Sequence, residues 1–218
     1  MGQSKIRTIL LCSLIVAFCN CTKDVTEPTP IISNQSTFTD SRDGKIYKTT
    51  IIENQEWMAE NLTFYIEKGS WNAGGSEDYV KFGRLYTWDA AKQAVPAGWH
   101  LPTDAEWKQL EMALGMSQAQ ADDIEWRGTN EGDKLKAVNL WADTGKGTDV
   151  VGFSALPGGF RSIASSSYLM VDFHGYWWTA SEFDNSTAWF RYLSYRSSGV
   201  FRKSSFKEDA YSVRCVKD

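Results

Sequence analysis

The pattern of apolar and polar positions changes character several times along the chain. An apolar run from Ile9 to Phe18 comes first, and Thr22 to Thr37 follows, rich in Thr, Pro and Ser and without periodicity. After the turn residues Asp43 and Gly44, the stretch from Lys45 to Ile52 is β-rich, Glu53-Asn54 reads as a second turn, and Gln55 to Met58 returns as a strand. "EKGSWNAGGSEDY" is a Gly-rich loop, and "FGRLYTWDAAKQA" predicts a short strand running into a helix.

In "GWHLPTDAEWKQLEMALG" the apolar residues Trp107, Leu110 and Leu114 recur at helical spacing. Thr103 is followed three residues later by Glu106, the signature of a capping box, in which each side chain takes the other's orphan amide. Asp104 adds negative charge at the positive end of that helix, Pro102 blocks extension backward, and Gly115 ends it. Ser117 and Gln120 repeat the device for a second, short helix. Arg127 to Ser162 is long, Gly-rich and poor in periodicity; a loop region of that size inside one domain points to function. Three strand-like runs close the chain: "YWWTASE", "AWFRYLSY" and "AYSVRCVKD". Trp177 and Trp178 are neighbours in the first run, so they must point to opposite faces, one into the core and one to the second surface. The whole reads as a single α+β domain over residues 38–218, with two helices, small mixed or antiparallel sheets and long Gly-rich loops.

The first apolar run changes the picture. Lys5 and Arg7 precede it, no acid occurs before Asp24, and about ten apolar residues are too few to span a bilayer as a helix. Residues 1–20 therefore read as a secretory signal peptide. It ends in "FCNCTKD", which resembles a bacterial lipoprotein junction of the Bacteroidetes type, with Cys21 as the lipidated residue and Cys19 as the alternative. Residues 21–37 become a flexible tether. The net charge of −4 and the lack of a basic stripe argue against a nucleic-acid partner. Mild acidity gives no attraction to anionic lipid, so acyl chains would hold the protein at the membrane. Of four cysteines only Cys215 remains in the folded part, which leaves no internal disulfide and no cysteine metal cluster.

The blocks "DGKIYKTTIIENQEWMAENL", "GRLYTWDAA", "PAGWHLPTDAEW", "WRGTNEGDKLK", "GFSALPGGFRS", "GYWWTASE", "AWFRYLSY" and "YSVRCVKD" occur in one order. Together they resemble the Fibrobacter succinogenes major paralogous domain, over roughly Phe38 to Asp218. The resemblance implies an exported or surface protein, often a lipoprotein. "LPTDAEW" and "VRCV" are also similar to the sulfatase-modifying-factor group, which implies a C-type-lectin-like fold with both chain ends in one sheet. Many family members carry Cys where this chain has Val95; here a disulfide to Cys215 is not available.

Ten tryptophans and 14% aromatic residues suit both a core and a sugar-stacking surface. A surface-displayed module for carbohydrate or adhesion is the expected function, with Trp141 and Trp189 as platforms and Asp184 and Asn185 as hydrogen-bonding groups. A protein-interaction or structural component of the cell surface is the alternative. No lectin-type calcium triplet occurs, so neither metal nor cofactor is expected. Catalysis is not expected either. The cysteine pair of the sulfatase-modifying group is missing, no GxSxG elbow surrounds Ser154, and His100 reads as a structural residue beside the capped helix. His174, just before a strand, is the remaining candidate for a base, and no catalytic residue is assigned.

Overall fold

The computed structural model describes residues 34–143, 145 and 147–218. The signal peptide, Cys19, Cys21 and the tether up to residue 33 lie outside the described residues. In chain order the first strands are β1 (Asn34–Thr39), β2 (Ile46–Ile52), β3 (Gln55–Met58), β4 (Ser70–Asn72) and β5 (Arg84–Tyr86). Helix α1 (Trp88–Ala94), strand β6 (Trp99–His100) and helices α2 (Asp104–Ala113) and α3 (Gln118–Asp122) follow. Next come β7 (Glu125–Arg127), α4 (Glu131–Leu135), β8 (Phe160–Arg161) and β9 (Tyr168–Leu169). The chain closes with β10 (His174–Glu182), β11 (Thr187–Ser194), β12 (Val200–Phe206) and β13 (Val216–Lys217).

Two sheets dominate. One has the order β1-β2-β3-β13-β6, so the last strand lies between two early ones; the other has the order β10-β11-β12-β7, and every pairing in both is antiparallel. Both capping boxes form. Glu106 N donates to Thr103 Oγ1 at 3.2 Å while Thr103 N donates to Glu106 Oε2 at 2.6 Å, and Ser117 with Gln120 does the same for α3. Gly115 follows α2 with φ 121, a backbone that side chains resist.

Several elements depart from the sequence-based expectation. Strand β1 reaches into the segment read as tether, from Asn34 on, and pairs along its length with β2. Strand β5 does run into helix α1 as expected, whereas α4 is a further helix inside the stretch read as loop. Strand β12 has no apolar alternation to announce it, since its inward positions include Arg202, whose charge is met by Asp104. The final run is a strand only at Val216–Lys217. Before that it crosses between the sheets, with Tyr86 N donating to Tyr211 O and Ser212 N donating to Tyr176 O.

Trp177 and Trp178 do point to opposite faces, yet both are fully buried. Trp178 packs with Tyr86, Trp99, Tyr211 and Cys215; Trp177 packs with Trp57, Trp107, Phe153 and Leu193. The β10 sheet therefore carries packed material on both faces at this level. Each indole N–H has a partner: Trp178 Nε1 donates to Tyr86 O at 2.8 Å, and Trp177 Nε1 to Asn61 Oδ1 at 2.9 Å. Cys215 is buried and has no disulfide partner among the described residues, Val95 packs against the same core, and burial pushes the thiol well above its ordinary pKa.

Candidate functional site

Alternation along a strand places every second side chain on one face of its sheet. On the face of the four-stranded sheet that carries Trp178, this brings four aromatic residues into a row, one from each strand. Tyr176 on β10 lies opposite Tyr192 on β11, Tyr192 opposite Phe201 on β12, and Phe201 opposite Trp126 on β7. Ring centroids along the row are 4.8, 5.4 and 5.3 Å apart. None of the four is buried, and Trp126 at the sheet edge is 45% exposed. Directly paired aromatic residues stabilise a sheet; Tyr176, Tyr192 and Phe201 pack partly against the Trp178 core, and Trp126 leaves apolar area available to a ligand.

His174 extends the row at the start of β10. Its Nδ1 lies 3.2 Å from the Tyr176 hydroxyl and its Nε2 lies 3.3 Å from that of Tyr192. Burial lowers the histidine's pKa and raises those of both tyrosines, so the trio is neutral at pH 7. The next residue must be glycine. A Cβ at Gly175 would collide with the Trp177 ring and sit 2.6 Å from Leu156 O.

Beside His174 the surface sinks into an open depression of 480 Å3, walled by Met170, Phe173, His174, Tyr192, Tyr195 and Arg196. Two turns frame it, one before β10 and one after β11. Tyr195 N donates to Phe173 O at 3.0 Å, which ties the turns together, and the two rings meet edge to face at 5.2 Å. Met170 and Asp172 hold left-handed backbone, with φ 60 and 69. Asp172 is held there because its N donates to Pro157 O and its O accepts from Ala142 N. Phe173 and Met170 remain 40% and 49% exposed.

Three of the residues expected to bind ligand are brought together elsewhere, at the β10–β11 hairpin tip. Asp184 Oδ1 accepts from Ser186 N, Ser186 Oγ and Thr187 N, so it staples the turn, and those bonds, led by the one from Ser186 N, lower its pKa. The Asn185 carbonyl accepts from Lys207 Nζ. Trp189 is half-buried. The Arg202 guanidinium lies 3.8 Å from its ring centroid and Phe183 meets it edge-on at 5.0 Å, so one indole face is already covered. Trp141 does not join them. It is only 9% exposed, belongs to the Trp177 core and donates its Nε1 to Ala155 O at 3.0 Å, which excludes it as a platform.

The residues that reasoning along the chain missed are Trp126, Phe173, Tyr176, Tyr192, Tyr195, Arg196 and Phe201. "GYWW" and "RYLSY" carried the alternation that puts Tyr176 and Tyr192 on one face, but strand register decides the row, and β7 and β12 were not foreseen.

Two other places bear on catalysis. Ser154 Oγ lies 2.5 Å from Asp149 Oδ2 in a second depression of 370 Å3, and Ser154 N donates to Asp149 Oδ1. Burial raises the Asp149 pKa. No histidine lines that depression among the described residues, and the pair fastens a loop in which both residues have positive φ. His100 is held between Glu106 Oε1 at 2.7 Å and Asp218 Oδ1 at 2.8 Å. Among the described residues no group of three or more His, Cys, Asp or Glu is placed to hold a metal ion, and no helix is long and apolar enough to cross a membrane.

Residues 51–217 match the model of the Fibrobacter succinogenes major domain. The chain belongs to the Fibrobacter succinogenes major domain family. No curated protein and no solved structure matches the chain. The span shared with this family contains both aromatic sites, from Trp126 to Phe201 and from Phe183 to Trp189, while β1 and the first five residues of β2 precede it.

Proposed function

We propose that the chain is an exported, lipid-anchored envelope protein whose folded part is a non-catalytic, C-type-lectin-like binding domain. Carbohydrate enters the depression beside His174. Cys21 carries the anchor, and the outer membrane is the place where such an anchor would hold the domain. The observation that carries the binding reading is the row Tyr176–Tyr192–Phe201–Trp126 running into an aromatic-walled depression. Aromatic walls cover the apolar faces of sugar rings while a few polar groups fix their orientation. The shared sheet of β2, β3 and β13 supports the lectin-like reading of the fold. Because Asp184 is engaged in stapling its turn, this reading puts the binding residues at the other end of β10 and β11 rather than at the hairpin tip.

One observation favours a second reading, a surface for another protein. Tyr176 and Tyr192 stack on each other within 6° of parallel, so those ring faces are already used and Trp126 and Phe173 supply the free apolar area. A glycan array and pull-downs on insoluble polysaccharides, run with the full-length chain, separate the two. Binding that survives EDTA and is lost in Tyr195→Ala supports the carbohydrate reading. A folded protein that binds nothing on a broad panel overturns it in favour of the protein surface.

A further inference from the structure

We infer that the saccharide taken by this depression is acidic, a uronic-acid-type sugar whose carboxylate pairs with Arg196; the inference rests on the carbohydrate reading above. Arg196 is the one permanently charged side chain on the walls, and no carboxylate lines them among the described residues. Its guanidinium forms no hydrogen bond or ion pair among the described residues; Arg161, which lies over the Trp71 ring, shares this, while six other arginines of the domain each place theirs on an oxygen.

The arginine is nevertheless positioned. Arg196 N donates to Ser194 Oγ at 3.2 Å, Ser197 N donates to Ser194 O, and the guanidinium carbon lies 4.9 Å from the Tyr195 ring centroid. Stacking of this kind holds the planar fork while leaving its N–H edge free for a carboxylate. His174 cannot serve as that partner while both its ring nitrogens face tyrosine hydroxyls. A sugar lying against Tyr195 and Phe173 would thus meet apolar walls on its ring and one cation at its edge. A neutral sugar would leave that cation unanswered.

The test compares polygalacturonate and alginate with the same polymers after their carboxyl groups are reduced to alcohols, titrated against the full-length chain. An acidic polymer is expected to bind about tenfold or more tighter than its reduced form, as a charge-assisted pair with Arg requires. Arg196→Gln should abolish that difference and Arg196→Lys should keep part of it. The exposed position of Arg196 makes both variants compatible with the fold, which unchanged near-UV circular dichroism would verify. Equal binding of acidic and reduced polymers, or an undiminished preference in Arg196→Gln, overturns the acidic class and leaves the carbohydrate reading in place. No binding to these polymers or to any glycan on the array overturns both.

Discussion

Arg191 Nε lies 2.5 Å from Glu111 Oε1, and neither side chain has any surface open to solvent. Glu111 is also gripped by both terminal nitrogens of Arg127, while Arg191 reaches on to Asp104, which Arg202 holds as well. This chain of charges sews α2 to β7, β11 and β12, on the face of the sheet opposite the aromatic row. Burial alone would raise the Asp104 pKa, but Arg202 and Arg191 hold it well below the usual carboxylate range.

Removing one member leaves its partners buried and uncompensated. Glu111→Ala is expected to cost about 3–5 kcal/mol in urea denaturation, because two arginines lose their shared acid in a dry site. A cost no larger than the roughly 1 kcal/mol of an exposed pair would mean that the cluster is hydrated in solution.

Trp141 and Trp126 should separate folding from binding. Trp141→Ala is expected to lose about 3–5 kcal/mol of stability through the cavity it opens. Trp126→Ala, at an exposed edge, should leave the thermal midpoint nearly unchanged and weaken ligand binding instead. The reverse pattern would relocate the binding surface.

The two histidines should titrate on opposite sides of 6.5. Burial works against a proton on His100, but Glu106 and Asp218 outweigh it and raise the pKa, while burial lowers that of His174. The His100 clasp therefore contributes stability that is whole below pH 6.5 and is lost as pH rises through the raised value. Glu106, whose pKa is lowered against burial chiefly by the Thr103 amide, sets the acid limit: its contribution is lost as pH falls below 4.5. His174 weakens the fold on the acid side, since below 6.5 the unfolded chain takes up a proton that the folded site resists. An NMR titration resolves both rings, and two coincident midpoints would contradict this assignment.

Cys215 should resist alkylation in the native protein and react once the chain is unfolded, because a buried thiol supplies neither thiolate nor access. Rapid labelling under native conditions would show that the sheet around β13 opens readily.

Local signals read well from the sequence. Thr103 with Glu106 and Ser117 with Gln120 announced two helix starts, since a capping box needs only four residues and no tertiary partner. The opposition of Trp177 and Trp178 followed from the pleat. What was not legible from the residues themselves was the register among β10, β11, β12 and β7. Trp141 and Trp189 are equally aromatic on paper, and only packing decides that one is core and the other half-covered by Arg202. Strand β12 escaped because arginine took an inward position, a choice that makes sense only once Asp104 is known to face it. The aromatic row needed four strands in order before Tyr192 could be seen beside Phe201.

The placement of Trp177 and Trp178 bears on how the domain comes apart. Each anchors a different core, and a single peptide bond joins them. Neither core can melt without dislodging the strand on which the other is built, so the domain should lose its structure in one all-or-none transition, with tryptophan fluorescence and amide circular dichroism tracing the same curve.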